Sequence, residues 1–245
     1  MRVIFLTVLF FASFVLAFAS SCNSSGKSST GVSVKGDAAS LPPLSEPEKR
    51  ILEKLGGELL PDQNIKIGNI TIHRRAREVS FPGILNMTEG DLEALIAMPH
   101  GRVHESLLVS DVDPLKLQLA LLLAGAENGS RDGGEKIPQG TILYIDVQPK
   151  DGKRFPVEDW LFNKKTSKGM DRFGWVFIGS SFTHDMRCLA KEEGNIVNVW
   201  SFGNTILDNP APTGNDDDFI VVNPETVPKR GTPVTIYLSF KTPVK

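Results

Sequence analysis

Residues 113–123 read DPLKLQLALLL and contain the clearest helix signal in the 245-residue chain. Asp113 can accept backbone N–H bonds at the N-cap, Pro114 suits the first helical position, and Gly125 ends the segment. Its leucines leave almost no polar face, which indicates burial. We therefore expect this helix to lie at the centre of the fold.

The sequence on both sides of this helix reads mainly as short strands separated by Gly, Pro and Asn. The predicted strands are 66–73, 78–81, 92–98, 103–109, 141–147, 175–178, 196–200, 219–222 and 234–240. A turn at 99–102 is expected to join two of them as a hairpin. Shorter helices are expected after Ser45, which can cap, and from Pro156. We predict an α+β domain in which a mainly antiparallel sheet packs on one buried helix.

The first residues of the chain have the pattern of an export signal. Arg2 precedes the apolar run 3–19, and Ala19-Ser20-Ser21-Cys22 follows. This last stretch resembles the bacterial lipobox, with alanine where leucine is usual, in which the cysteine is lipidated and becomes the new N-terminus. We predict a lipoprotein signal peptide over 1–21 and lipidation of Cys22. The alternative is plain cleavage after Ala19, which would give a secreted or periplasmic product.

Residues 22–47 are predicted to be the lipidated Cys22 and a flexible tether, because Ser, Gly and Pro dominate and large apolar side chains are scarce. Residues 48–245 remain as a single globular domain. The N-terminal lipid makes a membrane the expected partner, since two or more acyl chains anchor a protein stably. Asn23 after the cysteine favours the outer over the inner membrane, by analogy with enteric sorting.

Charge and cysteine content exclude several classes of function. The chain has 27 basic and 29 acidic residues, and the basic ones are scattered, so nucleic acid is not an expected partner. Once Cys22 is lipidated, Cys188 is the remaining cysteine of the two. One thiol cannot form an intramolecular disulfide, a cysteine-based zinc site or an all-cysteine iron–sulfur cluster.

The tripeptide His104-Glu105-Ser106 is the first candidate for chemistry. A strand would place His104 and Ser106 on one face, where a histidine beside a hydroxyl suits nucleophilic or general-base catalysis. His100 and His104 could also supply two nitrogen ligands to a metal. The interpretation we prefer is that these polar residues hold backbone groups of the turn.

The loop from Asp208 to Asp218 is the second candidate. Its carboxylates and amides suit calcium, which accepts six to eight oxygen ligands. The candidate ligands are Asp208, Asn215, Asp216, Asp217 and Asp218. The same residue types form tight turns, which is the interpretation we prefer, and we predict no resident cofactor.

Aromatic side chains offer a third kind of site. Trp160, Trp175, Phe177, Trp200 and Phe202 could line a ligand groove. We assign most of them to the core, because Trp175 and Phe177 lie two apart on one predicted strand.

Several separated motifs carry a family resemblance: REVSFPGILNM from Arg77, HGRVHESLLVSDVDPLKLQLALLLAGA from His100, GWVFIGSSF from Gly174, EEGNIVNVW from Glu192, and the stretch from Asp208 to Leu238. The chain resembles the YdjY-like family of bacterial lipoproteins, which includes many hypothetical proteins of planctomycetes. Some members are labelled ferredoxin-like. That label would imply an iron–sulfur cluster, which Cys188 alone cannot hold.

The resemblance implies a cell-envelope lipoprotein without an assigned reaction. We expect a binding or structural module whose partner is an envelope protein or a small ligand. The alternative is a metal-dependent enzyme or hydrolase using His104, Glu105 and the 208–218 loop, which requires these groups to converge on one concave site. An electron-transfer accessory is a third hypothesis, against which the cysteine count argues.

Overall fold

The computed structural model describes residues 41–129, 139–150, 152–210 and 218–240. The α-helices of these segments are α1 (Glu46–Lys54), α2 (Pro114–Leu123) and α3 (Leu189–Glu193). Two 3₁₀ helices cover Val103–Glu105 and Val157–Trp160. The strands are β1 (Glu58–Leu59), β2 (Ile65–Ile67), β3 (Ile70–His73), β4 (Glu78–Leu85), β5 (Ala94–Ala97), β6 (Ser106–Val109), β7 (Ile142–Pro149), β8 (Phe155–Pro156), β9 (Leu161–Asn163), β10 (Lys168–Gly169), β11 (Trp175–Phe177), β12 (Asn195–Asn198), β13 (Leu207–Asp208), β14 (Ile220–Val222) and β15 (Pro233–Ser239).

Eight of these strands close into a β-barrel in the order β4-β15-β7-β11-β13-β12-β5-β6. The ring closes where β6 pairs with β4, through Ile84 opposite Val109 and Leu85 opposite Leu108. The β5–β6 and β12–β13 pairs are parallel, and the other pairs of the ring are antiparallel. Closure leaves no strand of the ring at an open edge.

The expected α+β fold, with a sheet packed on one buried helix, is therefore wrong. The described residues are mostly β, with only 17% in helices. Alternation along the barrel strands sends one set of side chains inward, where they pack on one another instead of on a helix. On β7 and β15 this inward set is Leu143, Ile145, Val147, Ile236 and Leu238, all fully buried.

The helix at 114–123 forms as predicted, but it does not occupy the centre. Asp113 caps it by accepting the N–H groups of Leu115 and Lys116 at 3.0 and 3.2 Å, and Pro114 takes the first turn. Leu117 and Leu121 are fully buried, whereas Leu122 is 41% exposed. The helix crosses from β6 to β7, which are not neighbours in the barrel, and packs on α3 and β3.

The turn at 99–102 does not join a hairpin, because β5 and β6 run parallel. Its backbone instead lies against the end of α3, where a Cβ added at Gly101 would come within 2.5 Å of the Gly194 carbonyl oxygen. His100 Nε2 makes a 2.9 Å hydrogen bond with the Lys191 carbonyl oxygen. The predicted strand 103–109 accordingly begins as a 3₁₀ helix and becomes β6 only at Ser106.

Further strands extend the barrel on its outside. β1, β2 and β3 continue the sheet from β4, with Gly68 at φ +61° turning β2 into β3, so the single strand predicted over 66–73 is a hairpin. β8 pairs with β7, and β10, β9 and β14 form a separate three-stranded sheet. Within the described segments, no helix is long and apolar enough to cross a membrane.

Candidate functional site

The structure separates the members of the His104-Glu105-Ser106 group. His104 is exposed and its Nε2 lies 3.3 Å from a Glu105 carboxylate oxygen. Ser106 is fully buried, and its hydroxyl donates to the Arg102 carbonyl oxygen at 2.5 Å. With its proton committed to the backbone and its partner histidine at the surface, Ser106 is not arranged beside His104 as a nucleophile.

Glu105 lies instead near a second carboxylate, that of Glu93. Burial raises the pKa of Glu93, Arg102 opposes that effect, and Glu105 adds to it. Arg102 pairs with Glu93 and stacks on the Phe202 ring, with 4.5 Å from its guanidinium carbon to the ring centroid. This cluster joins the 3₁₀ helix Val103–Glu105 to Phe202 in the segment after β12.

The Asp208–Asp218 loop is only partly within the described residues. Asp208 is fully buried, and its Oδ1 accepts the Ser201 hydroxyl at 3.1 Å and the Asn209 N–H at 3.0 Å. Asn215, Asp216 and Asp217 lie outside the described residues, and Asp218 is exposed. In the part of the chain that is described, no three His, Cys, Asp or Glu side chains are grouped as a metal site.

A cavity of about 620 Å³ lies between the barrel strand β7 and the three-stranded sheet β10-β9-β14. Most of its wall is apolar, with carboxylate, amide and hydroxyl groups at a few positions. The lining residues are Pro149, Phe155, Glu158, Asp159, Trp160, Leu161, Gly169, Met170, Asn223, Thr226 and Pro228. Trp160, one of the five aromatic residues that were considered for a ligand groove and of which most were assigned to the core, is 3% exposed and forms part of this wall.

Hydrogen bonds between separate chain segments hold the cavity open. The Asn223 N–H donates to the Trp160 carbonyl oxygen at 2.8 Å, and the Thr226 hydroxyl donates to the Asp159 carbonyl oxygen at 2.6 Å. The segment 223–228 is thereby fixed to the 3₁₀ helix Val157–Trp160. The cavity is therefore lined by segments that are hydrogen-bonded to one another.

A buried carboxylate, Glu158, stands in the wall of the cavity. One of its oxygens accepts the Trp175 indole N–H at 3.1 Å, and the other accepts a guanidinium N–H of Arg172 at 3.1 Å. Arg172 also binds Asp146 on β7 at 2.6 Å. Burial raises the pKa of Glu158 above its usual value, even though Arg172 and Trp175 act in the opposite direction.

The same network continues over the outer face of the barrel. Arg154 donates to Asp146 at 3.0 Å and to both carboxylate oxygens of Glu78, at 3.1 and 3.0 Å. Its guanidinium carbon also lies 4.1 Å from the centroid of the Tyr237 ring. Burial lowers the pKa of Arg154, but Glu78 and Asp146 outweigh it and raise the pKa overall. The network links β4, β7 and the 3₁₀ helix at the cavity.

Sequence reasoning did not identify this network. Glu78 and Arg154 are 76 residues apart, and Asp146 and Arg172 are 26 apart. One weak signal was present, because Asp146 interrupts the apolar run of the predicted strand 141–147 and must face away from Ile145 and Val147. Nothing in that pattern identifies which arginine pairs with it.

Comparison with known families matches residues 70–239 to the YdjY domain. The match covers β3 to β15 and therefore includes the whole barrel and the cavity. No curated protein and no solved structure matches the chain.

Proposed function

The chain belongs to the YdjY domain family, and from that premise we propose that it is a cell-envelope lipoprotein whose domain binds a small molecule in the 620 Å³ cavity. The cavity is the observation that supports binding over a purely structural role. Small-molecule sites typically enclose about 300–1,000 Å³ and combine apolar walls with a few polar groups. The wall around Trp160 and Glu158 has this composition.

The lipid anchor is the second part of the proposal. It rests on the apolar run 3–19, the cysteine at position 22 and the Ser/Gly/Pro-rich stretch that follows. In this arrangement the lipidated N-terminus holds the protein on the membrane, preferentially the outer one, and the tether lets the domain reach ligands near the surface. No reaction is part of the proposal.

Binding can be tested with the neutral fluorescent probe N-phenyl-1-naphthylamine, titrated against the full chain in mild detergent. We expect a saturable rise in probe fluorescence at about one probe per chain, because an apolar cavity removes the ring system from water. Gly169→Phe should suppress this signal. Gly169 lines the cavity, and a Cβ added there meets nothing closer than the Leu161 carbonyl oxygen at 3.9 Å.

The matched control is Lys168→Phe, which adds the same ring at the neighbouring position of β10. Successive side chains of a strand point to opposite faces, and Lys168 is not among the lining residues. The fluorescence of probe that dissolves in the detergent is the same for Gly169→Phe and Lys168→Phe, so it cancels in the comparison. Met170→Trp adds bulk at a second residue that lines the cavity. Equal saturable binding by all four proteins, or no saturable binding by the unmodified chain, would contradict the proposal.

A further inference from the structure

We propose that the ligand of this cavity combines an apolar body with one ammonium-type cation, an inference that depends on the binding function proposed above. The wall contains two carboxylates, Glu158 and Asp159, and no basic side chain among the lining residues of the described chain. A cation is the charge that such a wall attracts, whereas an anion would meet only like charge.

The charge balance of the ion-pair network beside the cavity also favours a cationic ligand. Three carboxylates, those of Glu78, Asp146 and Glu158, face two guanidinium groups, those of Arg154 and Arg172. With all five groups ionised, one negative charge is left without a partner within the network. Glu158 is the member that borders the cavity, so a bound cation can compensate this charge there.

Glu158 also has room for a further donor. An ionised carboxylate accepts about four hydrogen bonds, and the described donors to Glu158 are Arg172, Trp175 and its own backbone N–H. An ammonium group placed at this carboxylate would form a charge-assisted hydrogen bond with it. Since burial raises the pKa of Glu158, a cation that stabilises the ionised form should lower it again.

The aromatic walls accommodate the remainder of such a ligand. Trp160 and Phe155 line the cavity, and aromatic rings attract both apolar groups and cations. The nearest lysines in sequence to the lining residues include Lys168 and Lys229, and both are exposed, so water screens their charges from the cavity interior.

Three probes of similar size test the inference by displacing N-phenyl-1-naphthylamine from the full chain at neutral pH: 2-phenylethylammonium, 2-phenylethanol and phenylacetate. We expect the ammonium compound to displace the probe at about one-tenth of the alcohol concentration, because charge-assisted hydrogen bonds exceed neutral ones by roughly that factor. Phenylacetate should be the weakest competitor.

Glu158→Gln should remove the preference for the ammonium compound, so that 2-phenylethylammonium and 2-phenylethanol displace the probe at similar concentrations. Asp159 lines the cavity at an exposed position. Asp159→Asn should therefore reduce the preference for the ammonium compound without destabilising the fold, and it tests the inference if Glu158→Gln does not fold. Equal displacement by all three compounds, or a preference unchanged in both variants, would overturn the inference and leave the binding function standing. Absence of saturable probe binding would instead contradict the binding function itself.

Discussion

Glu158 and Arg172 form a buried ion pair in which desolvation and pairing oppose each other. The side chain of Glu158 is 3% exposed and that of Arg172 is 18% exposed. Taking both charges out of water costs several kcal/mol, which the attraction between them and their hydrogen bonds to Trp175 and Asp146 offset. The stability of this site therefore depends on keeping the partners together.

Arg172→Met is expected to destabilise the protein by about 3 kcal/mol, because removing one partner of a buried pair leaves the other uncompensated. Urea unfolding at neutral pH measures this loss. The control is Arg187→Met, since Arg187 is 57% exposed and its bridges to Asp185 and Glu192 lie at the surface. Surface pairs contribute about 0–1 kcal/mol. Equal losses of unfolding free energy in Arg172→Met and Arg187→Met would refute the claim that the buried ion pair stabilises the protein more than a surface pair does.

At the scale of single elements, α2 begins at a carboxylate with two kinds of partner. Asp113 accepts the first free N–H groups of the helix and also pairs with Lys191 of α3 at 2.6 Å. Burial alone would raise the pKa of Asp113, but Lys191 and the backbone N–H groups outweigh burial and lower it below its usual value of 3.8. The ionised side chain is therefore the form that folding favours.

Asp113→Ala should lower the free energy of unfolding at pH 7 by about 1 kcal/mol, the usual contribution of an N-cap. Because the folded-state pKa is the lower one, this stabilisation is present above pH 3.8 and is lost as the pH falls through the folded-state pKa. The difference between the two proteins should shrink across that range in urea titrations at several pH values. Asp113→Asn keeps the cap and removes the charge, so it should lose less at pH 7. A difference that stays constant down to pH 2 would rule out this account.

The whole molecule combines a domain with an expected lipid anchor at its N-terminus. Cys22→Ser should abolish labelling of the chain by an alkyne analogue of palmitate and should move it from the membrane fraction to the soluble fraction of a producing bacterium. Cys188→Ser is the control, because Cys188 is buried at 5% exposure and should not accept lipid. Labelling that persists in Cys22→Ser would disprove anchoring at this residue.

Local signals predicted individual elements well and their assembly poorly. Ser45 and Asp113 cap helices where their side chains and the following prolines indicated. Most strands lie within a few residues of the predicted runs, because alternation and flanking turn residues are local properties. The hairpin expected at 99–102 failed because the same turn chemistry also serves a parallel connection, and Gly101 is needed for contact with Gly194.

The sequence by itself determined the helix caps, the apolar stripes of the strands, the N-terminal lipobox pattern and the resemblance to the YdjY family, all of which are written in short stretches of neighbouring residues. Only the tertiary structure decided that β6 pairs with β4 to close a barrel, and that Glu78, Asp146 and Glu158 share two arginines beside a cavity. The physical reason is that strand pairing and charge pairing depend on distances between remote segments. Hydrophobic periodicity indicates which face is buried but not which strand lies next to it.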